Sequence, residues 1–392
     1  MIIRLWMVYP FTQDSLQRDG IARMLYNLMN ALLLKYDDIK IEIWCLDWTK
    51  PFIKKGLDQF CQKGVMSKII FCSGKSDALV KKINNLDDNN AILLVFAYTA
   101  LDYEKICLRH KILIIYDFFS ILYEKHFLLI NCGIDFHNKI MLSKINDLAG
   151  QYFFTCHSQF IRQEHILKYI DTLDDNTDYV YLPYIPNYKT LFTKQVLKKY
   201  KIDFQYIIYP TQIRPYKNVE ILLKALILLK KKGIHIKLLL TGNLSDFQPA
   251  LIMAEGNDLM DDIVCVESVT KEELSALYHG ASMCIAPSFG EGGMPWTIFE
   301  ALANSTPAIT ADIEVARERL LFCGINPDES GLFLFDPLNA NELVDNIEYV
   351  LENKDAVIQK QQATKEKLFL WQWSDVAEKY MEIFNKVLKR GI

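Results

Sequence analysis

Metal-ligand spacings, a cationic surplus and long apolar runs are all missing from this chain, and each absence closes off a class of function. The seven histidines hold no His-x-x-x-His pair with a partner acid and no Asp-x-Asp occurs, so neither a metal nor another cofactor is expected. Lysine and arginine number 44 against 48 aspartates and glutamates, a net charge of −4, and no segment carries the basic excess that nucleic acid demands. The longest uncharged apolar stretch, residues 91–101, is well short of the ~20 residues of a membrane span. The apolar start, Met1 to Pro10, is interrupted by Arg4 and too short for a signal peptide, so it reads as a first strand. Nine cysteines, an odd number without a Cys-x-x-Cys pair, fit thiols in a reducing cytoplasm, and a cytoplasmic location is expected. Short lysine runs such as Lys54-Lys55 and Lys230 to Lys232 read as solvated faces that leave peripheral membrane contact open.

What is present is an apolar majority, 51% of 392 residues, with 23% charged, enough for two domains with separate cores. Strand-like runs alternate with helical patterns: Ile3 to Tyr9, then a helix from Ile21 to Leu34, then Ile39 to Leu46, Lys68 to Cys72, Ile92 to Phe96, Leu113 to Tyr116 and Tyr152 to Cys156. That alternation predicts βαβ units around a parallel sheet. Two prolines flank an extended break at Leu182 to Tyr188, and the pattern then restarts with Tyr206 to Tyr209, a helix over Val219 to Lys231, Ile236 to Leu240, Ile263 to Val266 and a helix over Lys271 to His279. The expected division is residues 1–190, 191–370 and a terminal helix over 371–392.

The most informative segment runs from Ala286 to Ala301, Ala-Pro-Ser-Phe-Gly-Glu291-Gly-Gly-Met-Pro-Trp-Thr-Ile-Phe-Glu300-Ala. A short apolar strand ends at Pro287, Gly292 and Gly293 let a ligand approach the backbone, and Pro295 opens a helix whose apolar face is Ile298, Phe299, Ala301 and Leu302. Free N–H groups at that helix start attract a phosphate or a polyhydroxylated ligand. Glu291 at the strand exit and Glu300 one turn into the helix can face one crevice. Taken alone, the segment reads equally well as an ordinary strand–loop–helix joint.

The whole run resembles the donor domain of retaining glycosyltransferases of the GT-B fold, in the large family four. The family's strand ending in Pro-Ser, its acidic residue and glycines, its Gly-hydrophobic-Pro step and its Glu-Ala and Gly-Thr-Pro-like turn correspond to Ser288 through Thr310, although eight residues rather than seven separate Glu291 from Glu300. The resemblance implies two Rossmann-like α/β domains with a cleft between them, the first binding acceptor and the second a nucleotide-sugar, with a C-terminal helix crossing back to the first. It also implies transfer of a sugar from a UDP-, GDP-, ADP- or dTDP-sugar to a hydroxyl of a saccharide or lipid-linked acceptor, with the anomeric configuration retained.

By the same resemblance Lys217, in Thr211-Gln-Ile-Arg214-Pro-Tyr-Lys217-Asn218, matches the phosphate lysine, and Arg214 is assigned to phosphate beside it. Glu300 corresponds to the glutamate that binds the ribose hydroxyls, and Glu291 would hold a donor-sugar hydroxyl. The backbone N–H groups of Gly292, Gly293 and Met294, at the Pro295 helix start, would face sugar or phosphate oxygens. Gly242 and Asn243 end a strand near the nucleotide, Gly20 leads a loop into the first helix near the diphosphate, and Asp117 would face the cleft near the acceptor. Asp117 also reads as a strand-end cap, and His157 as structural. The single glycine of the first loop and the eight-residue spacing keep a second reading open, a non-catalytic nucleotide-sugar-binding subunit of a glycosylation complex.

Overall fold

In the computed structural model, residues 1–10, 20–87, 89–119, 134–184, 193–267 and 269–390 are described. The chain divides into two units, Met1–Pro183 with Gln372–Ile392, and Tyr184–Trp371. The expected division near residue 190 lies outside the described residues.

Unit 1 is built on seven parallel strands: β1 (Ile2–Met7), β2 (Lys40–Leu46), β3 (Ile69–Gly74), β4 (Ala91–Val95), β5 (Lys111–Ile114), β6 (Phe153–Cys156) and β7 (Thr177–Tyr179). Their order is β3-β2-β1-β4-β5-β6-β7. Strands covered by helices on both faces are apolar throughout rather than alternating, and Ala91-Ile-Leu-Leu-Val95 is buried at every position. Arg4 is the exception inside β1. Its guanidinium stays in place because Glu42 on β2 lies 3.2 Å away and the Asp87 carbonyl accepts a second bond at 2.8 Å. Helices α1 (Gly20–Lys35), α2 (Lys50–Phe60), α3 (Ser76–Ile83) and α4 (Ile134–Asn146) accompany the strands.

Unit 2 repeats the plan with six parallel strands, β8 (Tyr206–Tyr209), β9 (Lys237–Leu240), β10 (Ile263–Cys265), β11 (Met283–Ala286), β12 (Ala308–Ala311) and β13 (Phe333–Phe335). The order is β10-β9-β8-β11-β12-β13. Helix α5 (Thr193–Lys199) precedes them, α6 (Val219–Lys231), α7 (Gln248–Gly256), α8 (Lys271–Gly280), α9 (Trp296–Ala303) and α10 (Glu314–Phe322) connect them, and α11 (Ala340–Glu352) and α12 (Lys354–Leu368) follow. Local chemistry sets several boundaries. Thr270 and Glu273 form a reciprocal capping box that starts α8.

The last helix, α13 (Trp373–Arg390), belongs to unit 1 and lies against α1. Its buried residues, Trp373, Val376, Ala377, Tyr380, Ile383, Phe384 and Val387, fall on one helical stripe. Lys35 of α1 pairs with Glu378 near the start of α13, and Arg390 at its end pairs with Asp175, which precedes β7 in the same unit. Among the described residues no helix is long and apolar enough to cross a membrane. The described cysteines are all free thiols; Cys45, Cys61, Cys156 and Cys284 are buried, whereas Cys107 and Cys265 are exposed.

Candidate active site

In unit 2 the chain runs from β8 outward to β9 and β10 on one side, and from β11 outward to β12 and β13 on the other. The strand order therefore reverses between β8 and β11. In open parallel sheets the crevice for a ligand lies beyond the carboxyl ends of the strands at such a reversal. The loop after β8 carries Arg214 and Lys217, and the loop after β11 carries Glu291 to Met294. The two motifs, 74 residues apart between Lys217 and Glu291, are thus brought to the two lips of one crevice by sheet topology alone.

The two loops are joined by Asn218. Its backbone is left-handed (φ 52°), and the side-chain amide donates to the Pro287 carbonyl at 3.1 Å and the Pro337 carbonyl at 2.8 Å. One buried residue (3% exposed) thereby ties the ends of β8, β11 and β13 together and starts α6. Phe289 adds a backbone bond to the Tyr216 carbonyl at 2.9 Å. Asn218→Ala is expected to destabilise unit 2 by about 2–4 kcal/mol, from two lost buried hydrogen bonds and a left-handed backbone that alanine resists. Asn218→Gly should recover the backbone part only. Calorimetric unfolding reads the difference, and an unshifted transition in Asn218→Ala would show that this staple holds nothing.

Held in this way, Lys217 Nζ lies 2.5 Å from Glu291 Oε1, and the same carboxylate oxygen accepts the Ser288 hydroxyl at 2.6 Å. Both members of the ion pair are partly buried. Burial alone would lower the lysine pKa, but the Glu291 carboxylate, with Tyr216 and Tyr209 nearby, more than offsets it and holds the ammonium above the ordinary lysine value. Lys217 is therefore a cation throughout the neutral range.

Glu300 stands on the second turn of α9, 4% exposed, where the Tyr278 hydroxyl donates to its Oε2 at 2.8 Å. Burial, then the Glu300 carboxylate, pushes the Tyr278 hydroxyl well above the usual tyrosine value. Met294 and Pro295 are buried at the start of α9, with Gly292 and Gly293 partly exposed just before them. Gly242, at the end of β9, is where a side chain cannot go: an added Cβ would stand 2.7 Å from the Thr211 carbonyl. This close approach presses the β9 loop onto the β8 loop. Asn243 caps the following turn through Ser245 N–H at 3.0 Å and reaches Glu267 Oε1 at 3.2 Å.

Arg214 lies on the same loop as Lys217. It is exposed, and its guanidinium donates to Gln212 Oε1 at 2.7 Å and reaches the Tyr216 hydroxyl at 3.4 Å. The sequence patterns do not single out Tyr209 or Tyr278, and they give Ser288 only as the serine of the Pro-Ser strand end, where the loop begins. The one available signal was a polar atom placed on an otherwise apolar strand or helix face.

In unit 1, Gly20 is the exposed first residue of α1, with open space where a side chain would go. Residues 11–19, the rest of its expected loop, lie outside the described residues. Strand β5 ends at Ile114 rather than Tyr116, so Asp117 sits in the loop beyond it, where its Oδ1 accepts the Phe119 N–H at 3.0 Å. The next peptide is also held, since Phe118 N–H donates to His165 Nδ1 at 2.9 Å. Burial lowers the His165 pKa to about 4, in keeping with an acceptor nitrogen that carries no proton. His157 is fully enclosed, its Nδ1 3.3 Å from the Val180 carbonyl, and Ser158 caps the following helix through Ile161 N–H at 3.1 Å. Among the described residues no three His, Cys, Asp or Glu side chains gather as a metal ion would require.

Two parallel-sheet, Rossmann-like α/β units with a terminal helix returned to the first are the architecture of GT-B glycosyltransferases. Residues 193–367, all within unit 2, match the family model of the glycosyl transferases group 1. Among solved structures, a glycosyltransferase from Rickettsia africae is 17% identical with a TM-score of 0.66, covering 99% of this chain and 98% of that one. The HepE protein of Anabaena, solved with UDP and glucose, gives 13% and 0.69 over 98% and 99%. Sucrose-phosphate synthase from Thermosynechococcus elongatus gives 14% and 0.69 over 99% of both chains. These likenesses fix the fold, and the family match supports sugar transfer as the class of activity. No curated protein matches the chain in sequence.

Proposed function

We propose that this chain transfers a sugar from a nucleoside-diphosphate donor to a hydroxyl of a saccharide or lipid-linked acceptor, as in family four, with retention of the anomeric configuration. The observation that carries the reading is the Lys217–Glu291 pair at the switch point of unit 2, 2.5 Å apart and directly before the α9 helix start. Such a site offers one fixed cation and helix N–H groups where a leaving diphosphate gathers charge, and carboxylates where hydroxyls must be held. Lys217 takes the phosphate charge, Glu291 a sugar hydroxyl and Glu300 the ribose. Arg214 would join them by leaving Gln212. The complex of HepE with UDP and glucose supports a nucleotide and a hexose as the donor halves.

In the proposed step the bond from the anomeric carbon to the phosphate oxygen breaks while the acceptor oxygen bonds to the same face of that carbon. The acceptor proton passes to the departing phosphate oxygen. No protein nucleophile is needed, and Asp117 of unit 1 is assigned to the acceptor. Because Lys217 and the α9 N-terminus stand at the diphosphate, the rate should not depend on a divalent cation.

The test is a panel of UDP-, GDP-, ADP- and dTDP-sugars with NMR of the first-formed product, with and without chelator. Turnover of at least one donor with the α or β configuration preserved, unchanged by chelator, is the expected result. An inverted product would sink the mechanism, and donor affinity with no turnover would establish the binding-subunit reading in its place.

A further inference from the structure

The Lys217–Glu291 pair rests on a buried hydroxyl relay that no part of the reading above uses. Tyr209, the last residue of β8 and 2% exposed, places its hydroxyl 3.1 Å from Ser288 Oγ and 3.3 Å from the Lys217 main-chain carbonyl. Ser288, 1% exposed at the exit of β11, donates to Glu291 Oε1 at 2.6 Å. Proton counting orders the chain. A serine hydroxyl has one proton, and it is spent on the carboxylate, so the single Tyr209 proton serves both acceptors as a three-centre bond, Ser288 Oγ at 3.1 Å and the Lys217 carbonyl at 3.3 Å. Burial pushes the Tyr209 pKa up to about 12, so the phenol keeps that proton at any working pH.

One phenol oxygen therefore touches both lips of the crevice, the chain that carries Lys217 and, through Ser288, the carboxylate that faces it. We propose that Tyr209 is a positioning residue which, acting through Ser288, fixes the Lys217 ammonium and the Glu291 carboxylate in register across the β8–β11 switch point. The proposal rests on the reading of Lys217 as the diphosphate cation. It deepens that reading, because a cation that must act at a developing charge loses its effect when it is displaced by a fraction of its bond length.

Tyr209→Phe removes one oxygen and leaves the ring. Tyr206→Phe is the control: the same strand, a hydroxyl equally buried and bonded to the Leu277 carbonyl at 2.6 Å, with no link to the pair. With the sugar nucleotide that the wild-type chain turns over fastest, Tyr209→Phe should lower kcat about tenfold with KM within about twofold, and Ser288→Ala should match it. Tyr206→Phe should stay within about twofold of wild type. Equal losses in both tyrosine variants, or an unaltered kcat in Tyr209→Phe while Lys217→Ala is impaired, would overturn the clamp. A second measurement does not need turnover: acetylation of Lys217 in the full chain by limiting acetic anhydride, followed by mass spectrometry with exposed lysines as internal standards. Tyr209→Phe should speed labelling of Lys217 by about threefold or more, since a loosened ammonium loses its partner. An unchanged labelling rate overturns the clamp. Faster labelling together with full activity in Lys217→Ala upholds it and removes instead the assignment of Lys217 to phosphate.

Discussion

Lys217→Ala is expected to lower kcat by about 10²–10³-fold, the loss typical of one preorganised group aimed at developing charge. The ammonium is held at the carboxyl edge of the sheet by the Asn218 staple and by Glu291, so it does not have to be organised when the donor arrives. Its partial burial strengthens the interaction with a diphosphate relative to an exposed lysine. Because leaving-group charge is greater in the transition state than in the bound donor, most of the loss should appear in kcat and little in acceptor KM. Lys217→Arg should not rescue it, since a planar, delocalised guanidinium does not reproduce the compact point charge that lies 2.5 Å from Glu291 Oε1. The raised pKa also bears on pH. Lys217 stays charged well above neutrality, so it should contribute no limb to the rate profile between pH 6 and 9, and any limb found there belongs to another group. Initial-rate kinetics over that range decide the matter, and wild-type turnover in Lys217→Ala with every accepted donor would take this residue out of the site.

Much of this site could be read from the residues because it consists of local patterns. Helix α6 runs from Val219 to Lys231, as its apolar periodicity predicts, and the strand of Tyr206 to Tyr209 is likewise placed by its own side chains. The Gly292-Gly293-Met294-Pro295 step into α9 needs only the conformational freedom of glycine and the fixed φ of proline. What was not legible depends on which strand lies beside which. Tyr209 and Ser288 are 79 residues apart, and they meet only because β8 pairs with β11 instead of a sequence neighbour. Tyr278 and Glu300 face each other for a similar reason, through the packing of α8 on α9. The three-residue strands β7 and β13 are not among the runs that the sequence pattern picks out, and each completes an edge of its sheet. The exposed Arg214 shows the converse limit. By the resemblance the basic position of the motif falls on Gln212, and Arg214, two residues later, donates to that side chain at 2.7 Å, a pairing the motif alone does not give.

The two glutamates are expected to separate by ligand, because their supports differ. Glu300 is carried by a helix and its carboxylate is held by the Tyr278 hydroxyl, whereas Glu291 sits in the loop and shares its oxygen with Lys217 and Ser288. A carboxylate that binds two ribose hydroxyls acts on every ligand that contains the nucleoside. Glu300→Ala should therefore weaken a free nucleoside diphosphate by about 10- to 100-fold. Glu291→Ala should weaken only the intact sugar donor, and by a similar factor, since its proposed partner is a hydroxyl of the transferred sugar. Part of any Glu300→Ala effect will come from stability, as the truncation leaves the buried Tyr278 hydroxyl without its acceptor. Tyr278→Phe isolates that part: it keeps the carboxylate but removes its support, and the nucleotide affinity should fall less than in Glu300→Ala. Calorimetric titration of the three variants with a nucleoside diphosphate, then with its sugar, gives six affinities against wild type. Equal loss of the free nucleotide in Glu291→Ala and Glu300→Ala would mean that the eight-residue spacing has moved Glu291 onto the nucleotide, and the sugar hydroxyl would then need another partner among the backbone groups of Gly292 to Met294.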